Sequence, residues 1–243
     1  VNQHTEPANF EDRNIPLDAP HPLAAQFEAI TKEYTLDKVK VRALGGISGA
    51  IVQGATTFIT GPSGSGKSTF LNILGLVDRP TSGALSLFGE DVTRLSDAAA
   101  ADFRSRNIGF IFQSFNLIPV LSLRENVEFP LLRHRMSARA RRDRAAAYLE
   151  AVGLGGMMDR RPGEISGGQR QRVAVARALA TEPRLIVADE PTANLDSRTS
   201  REIVALLARM QAEFDTTVVI CTHETQLIPP QSPVIEIIDG RLA

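Results

Sequence analysis

Residues Gly61-Pro62-Ser63-Gly64-Ser65-Gly66-Lys67-Ser68 set a glycine, four residues, a second glycine, a lysine and a hydroxyl in a row. Glycines let the backbone turn its N–H groups inward, and a ring of such donors binds phosphate oxygens. A helix starting near Lys67 aims its positive dipole end at the same point. Lys67 then supplies a point charge for the β- and γ-phosphates, and the Ser68 hydroxyl a ligand for Mg²⁺. Thr69 follows in the same first turn and joins the candidate binding set. The chemistry these spacings support is nucleoside-triphosphate binding and phosphoryl transfer.

That chemistry also needs a metal ligand and a group to handle the attacking water. Leu185-Ile186-Val187-Ala188 run directly into Asp189 and Glu190. A continuous apolar run suits a strand covered on both faces, and ligands of such sheets sit beyond the carboxyl ends of the strands. Asp189 is placed to hold Mg²⁺, directly or through water. Glu190 is placed to orient or deprotonate the water. A second glycine motif, Ile165-Ser166-Gly167-Gly168-Gln169, precedes a helical pattern carrying Arg170, Arg172 and Arg177. A serine and two glycines at a helix start form a second candidate anion site.

Positioning these groups requires strands that alternate with helices, so the expected class is α/β with a largely parallel sheet. Strands are expected over Ala55 to Thr60, Ala84 to Phe88, Ile108 to Phe112, Leu185 to Ala188, Thr217 to Thr222 and Val234 to Ile238. Helices are expected over Ser68 to Val77, Gly167 to Ala180 and Ser200 to Ala212. Between Ser114 and Gly163 the pattern changes. Ser122 and Glu125 have capping-box spacing, Pro130 ends or kinks the helix they start, and Ser137 caps a second helix reaching Val152. That stretch reads as a helical insertion.

The run ISGGQRQRVAVARAL, residues 165–179, resembles the signature motif of the ATP-binding cassette family, with Ile165 where leucine is usual. The resemblance covers about residues 26–242. It implies a P-loop NTPase core of ABC ATPase type, with an antiparallel β subdomain and an α-helical subdomain inserted at about 114–165. It divides the chain into a tail, 1–22, and one ATPase domain, 23–243. Gln113 matches the glutamine that contacts Mg²⁺ or the water. Ala193-Asn194-Leu195-Asp196 resembles the loop that crosses to a second subunit. His223 matches the histidine that contacts the γ-phosphate, and Tyr34 sits where the family stacks an aromatic ring on adenine. With Lys67 and Glu190, Gln113 and His223 make up the catalytic set that the resemblance implies.

The resemblance further implies that two copies pair head to tail. Each ATP would lie between Lys67 of one chain and Ser166 of the other. The segments around Asn72, Pro80, Phe112–Pro119 and Leu123–Val127 are similar to the branch that includes lipoprotein-releasing and macrolide-efflux ATPases. Such subunits work at the cytoplasmic face of a membrane with separate integral membrane permease subunits. The competing class is a non-transport ATPase of cell-division, DNA-repair or translation type.

Bulk composition agrees. Of 243 residues, 23% are charged and 43% hydrophobic, which permits a sizeable core. A net charge of -1 offers no general basic field for nucleic acid, so none is expected as a partner. The single cysteine, Cys221, excludes an internal disulfide framework and is expected to be buried. No apolar stretch approaches the ~20 residues that span a bilayer. Residues 1–22, with four acids and four prolines, read as a loosely attached tail. Phe115, Leu117 and Ile118 form either an apolar groove for a partner or part of the core. The arginines at 133, 135, 139, 141, 142 and 144 lie near lipid phosphates or form a solvated helix face. Pro229, Pro230 and Pro233 should make their stretch irregular.

Overall fold

The computed structural model describes residues 22–36 and 39–243. The expected tail lies outside the described residues, apart from Pro22. Two sheets carry the architecture. Strands β1 (Leu23–Leu36), β2 (Val39–Val52), β4 (Ser82–Leu87) and β5 (Glu90–Asp91) form an antiparallel sheet in the order β2-β1-β4-β5. The second sheet runs β10 (Arg241–Leu242), β9 (Val234–Ile238), β3 (Thr56–Thr60), β8 (Thr217–Cys221), β7 (Leu185–Asp189), β6 (Ile108–Ile111). Its five inner and far-edge strands are parallel, and β10 pairs antiparallel with β9.

The parallel sheet divides two cores by its period-2 alternation. Phe58, Ile186, Ala188, Val218 and Ile220 point into one core, with α3 (Leu123–Glu128), α4 (Ala138–Ala151), α5 (Gly167–Leu179) and α6 (Ser197–Phe214). Ile59, Leu185, Val187, Val219 and Cys221 point into the other. There they meet α1 (Lys67–Leu74), α2 (Asp97–Asn107) and the antiparallel sheet. Burial on both faces is why these strands read as unbroken apolar runs.

Most expected elements form, with shifted ends. α1 stops at Leu74, where Gly75 N–H bonds back to Leu71 O and Leu76 turns left-handed (φ 54°). α6 begins three residues before the expected Ser200. The Asp196 side chain accepts from Arg198 N–H and Thr199 N–H, and so caps it earlier. Both reciprocal bonds of the Ser122–Glu125 capping box are present. Pro130 then falls in a 3₁₀ turn, Phe129–Arg133, after α3 has ended. Residues 225–233 are irregular, as the prolines require, with one 3₁₀ turn at Thr225–Leu227. Cys221 is buried.

Strands β1 and β2 are not legible in the local pattern. They carry Glu28, Lys32, Glu33, Lys40 and Arg42, and their pairing shifts register four times, which breaks the alternation. α2 escapes for a different reason: of its eleven residues only Phe103 is buried, so it has almost no apolar face.

Candidate nucleotide site

β3 delivers the chain into the loop that starts at Gly61. Gly61 has φ 136°, and a Cβ there would lie 2.0 Å from Ile237 O, so only glycine fits. Gly66 is left-handed (φ 104°) and heads α1 with no side-chain cap, which leaves the helix start open to an anion. Gly240 N–H donates to Ser65 O at 2.9 Å, tying the loop to the β9–β10 turn. Ser65 Oγ is buried without a partner. Lys67 is 6% exposed, and its ammonium donates to Gly61 O (2.9 Å) and Pro62 O (2.7 Å). Pro62, Ser63 and Gly64 form the exposed rim. An uncapped helix start, an orphaned hydroxyl and a nearly buried ammonium suit a triphosphate.

The Ser68 hydroxyl donates to Asp189 Oδ1 at 3.2 Å, joining the start of α1 to the end of β7. Burial pushes the Asp189 carboxyl above its ordinary range. The Ser68 hydrogen bond offsets part of this, while the neighbouring Glu190 charge adds to it. A divalent cation at these oxygens would reverse the shift, and a hydroxyl with a carboxylate is a donor pair suited to Mg²⁺.

Strand register does the rest. Asp189 pairs with Cys221 across β7 and β8, so the residues leaving both strands emerge side by side. Glu190 N–H donates to Cys221 O (3.0 Å), and Glu190 Oε1 lies 3.2 Å from His223 Nδ1. Glu190 is left-handed at φ 44°. Such a backbone costs a non-glycine residue about 1–3 kcal/mol, and the flanking strands hold it there. Among the described residues, no cluster of three or more His, Cys, Asp or Glu forms a separate metal centre.

Gln113 is exposed on the loop after β6. That loop is held from two sides. Asn194 Nδ2 donates to Gln113 O at 2.9 Å. Arg177, from α5, donates to Asn116 O (2.5 Å) and Phe115 O (2.8 Å), and both of those residues are left-handed. Arg170 lies over the Phe115 ring, 5.3 Å from its centroid. Phe115, Leu117 and Ile118 are half-buried, and Leu117 packs on the core. The apolar cavity nearby, about 350 Å³, is lined instead by Phe110, Phe112, Phe129 and Pro130. In the arginine run, Arg144 pairs with Glu182 and Arg141 bonds Met136 O, so those two do not belong to a free charged face.

Ser166 caps α5. Its Oγ accepts from Gln169 N–H (3.3 Å), and Gln169 Oε1 accepts from Ser166 N–H (2.9 Å). Gly167 and Gly168 pack against the 194–199 segment, where a Cβ on Gly168 would lie 2.6 Å from Thr199 Cγ2. Among the described residues, no hydrogen bond or ion pair links Ser166–Gln169 or Asp196 to the phosphate loop. The structure thus brings together Lys67, Ser68, Asp189, Glu190 and His223, while the second glycine motif packs on the 194–199 segment with no direct bond to them.

Tyr34, on β1, is half-buried. Its hydroxyl donates to Asp78 Oδ2 at 2.9 Å, and Lys32 Nζ sits 4.9 Å from its ring centroid. Burial raises the phenol pKa, a hydrogen bond with the Thr69 side chain lowers it, and Asp78 raises it further. Burial also pushes Asp78 up, but hydrogen bonds from Lys32, Tyr34 and Arg79 N–H, together with the Lys32 charge, hold it below the ordinary carboxylate range. Asp78, Lys32 and the clamp made by Arg177 were beyond the reach of motif reading. Each acts on a partner tens of residues away along the chain, Lys32 on Asp78 and Arg79 included.

Comparison with known proteins accords with this geometry. Residues 44–193 match the ABC transporter family model. An uncharacterized ABC transporter ATP-binding protein of Thermotoga maritima is 47% identical over 88% of this chain and 91% of its own length. The lipoprotein-releasing system ATP-binding protein LolD of Geobacter metallireducens is 45% identical, over 88% and 95% respectively. Among solved structures, a dimeric post-hydrolysis state of the ATP-binding cassette MJ0796 bound to ADP and Pi superposes with a TM-score of 0.82. It is 40% identical and covers 90% of this chain and 96% of that one. The matched family span runs from the antiparallel sheet through the phosphate loop to the acidic end of β7, and the chain belongs to the ABC transporter family.

Proposed function

We propose that this chain is the ATP-hydrolysing subunit of a transporter that exports or extracts its cargo through separate integral membrane permease subunits. The observation that carries the reading is the 3.2 Å contact between Ser68 and Asp189, beside the Glu190–His223 pair. It supports a reading in which a phosphate cradle, a metal-binding pair and a base share one mouth.

In this reading the open start of α1 and the Lys67 ammonium bind the β- and γ-phosphates, Lys67 exchanging carbonyl partners for phosphate oxygens. Ser68 and Asp189, with Gln113 alongside, would hold Mg²⁺, which neutralises charge developing on the phosphate oxygens. Glu190 takes the proton of the attacking water. His223, with Nδ1 on Glu190, orients that carboxylate and offers its other ring nitrogen to the γ-phosphate. Tyr34 stacks on the base. Ser166, Gly167, Gly168, Gln169 and Asp196 serve the nucleotide held by a second copy, since within one chain they do not reach its own loop. The relative that is the ATP-binding protein of a lipoprotein-releasing system supports a transport role, which this reading sets at the cytoplasmic face of a membrane. No helix among the described residues is long and apolar enough to cross a bilayer.

The test is affinity capture of the tagged chain from detergent-solubilised membranes of its own cell. A polytopic membrane protein should co-purify in stoichiometric amount. Recovery of ribosomes or DNA in its place would overturn the transport reading.

A further inference from the structure

Tyr34 is fixed more firmly than a half-buried tyrosine needs to be. Its hydroxyl is bound by Asp78, and the ammonium of Lys32 lies over its ring. Lys32 also closes the triangle. Its Nζ donates to Asp78 Oδ1 at 2.6 Å and to Arg79 O at 2.8 Å, and its side chain is only 13% exposed. Asp78 Oδ1 accepts a further bond from Arg79 N–H (2.7 Å).

Asp78 itself is anchored to the phosphate-loop helix. The N–H groups of Val77 and Asp78 both donate to Asn72 O, at 2.9 and 3.1 Å. Asn72 lies in α1, whose first residue is Lys67. A chain of direct contacts therefore runs from the phosphate loop along one short helix to Asp78, and across to a ring on the other sheet. A surface ion pair kept for stability alone contributes little, about 0–1 kcal/mol, and does not require the phenol hydroxyl.

We propose that Asp78, supported by Lys32, is a positioning residue for the nucleotide base: it locks Tyr34 as a ready-made stacking platform at a fixed distance from the phosphate loop. The proposal rests on the reading of Tyr34 as the base-stacking residue. A ring already held in one rotamer loses less freedom when a base lands on it, so locking raises affinity without a new contact to the ligand. One face lies under the Lys32 ammonium, so the proposal seats the base on the opposite face.

Isothermal titration with two ligands separates positioning from general support. ATP carries a base, and inorganic tripolyphosphate does not. With Mg²⁺ present, Asp78→Ala and Tyr34→Phe should each weaken ATP binding roughly three- to tenfold and leave tripolyphosphate binding within about twofold. The double variant should be no weaker than either single one, because both break the same tether. Equal weakening of both ligands, or no weakening of ATP, overturns the proposal; so does full additivity in the double variant. Tyr34→Phe removes one oxygen and keeps the fold if Asp78→Ala does not. Tyr34→Ala tests the underlying reading separately. If it leaves ATP affinity unchanged, base stacking at Tyr34 is wrong; if it weakens ATP while Asp78→Ala and Tyr34→Phe do not, only the tether fails.

Discussion

Glu190→Gln should lower ATP turnover by roughly 10²- to 10⁴-fold, the usual contribution of a positioned general base. The substitution keeps size and hydrogen-bonding reach but removes the proton acceptor. Glu190 does not touch Lys67 or Ser68 through any hydrogen bond among the described residues, so ATP affinity should stay near that of the unaltered chain. The left-handed backbone at 190 and its N–H bond to Cys221 O do not depend on the carboxylate, so the fold should survive. Phosphate release under single-turnover conditions, read beside nucleotide binding, checks both halves. Near-normal turnover would remove Glu190 from its assigned role and leave Asp189, Gln113 or His223 to handle the water.

Lys67→Ala should act on binding itself. The lysine is almost fully buried and bonds two loop carbonyls, so its charge has no other solvation to fall back on. A charge-assisted hydrogen bond contributes about 1.5–3 kcal/mol, so ATP affinity should drop roughly 10- to 100-fold, and turnover should fall with it. The same change removes the ammonium that ties Gly61 O and Pro62 O together, and Pro62 O keeps only the Ser65 N–H at 3.3 Å, so the loop loses order as well. Fluorescent-nucleotide titration measures the first effect. Retention of full affinity would mean that the helix start and loop amides bind the phosphates unaided.

What the sequence makes legible follows from how local each feature is. The phosphate loop needs glycine at positions where a Cβ would strike backbone, and that requirement is written in eight adjacent residues. The capping box at Ser122 lies within four residues, and the structure contains it; the helix start expected at Ser166 forms too, closed by a capping box with Gln169. β7 and β8 are buried on two faces, so their apolar runs stand out. By contrast, β1 and β2 find their core through a shifted pairing that alternation does not encode. The tie from Tyr34 to Asp78 spans 44 residues, and Arg177 reaches carbonyls 61 and 62 residues before it. Such contacts depend on where the sheets place distant segments. Even the Glu190–His223 pair, though both residues are visible as candidates, is a product of the β7–β8 register.

On the proposed function, the pocket opened by Gly61 to Ser68 is half of a site, completed by Ser166 of a second copy. Ser166 is exposed at the start of α5 and bonds only within its own helix turn, so an arginine there removes the cap of α5, at about 0.5–2 kcal/mol, and touches no other part of the single chain. The most direct measurement is solution mass, by light scattering, of Glu190→Gln with and without ATP, and of the same chain carrying Ser166→Arg. Glu190→Gln should be a monomer without ATP and a dimer with it. The Ser166→Arg form should bind ATP with unchanged affinity and stay a monomer. An ATP-bound Glu190→Gln chain that remains monomeric, or a dimer that forms equally well with Ser166→Arg, would contradict the shared site.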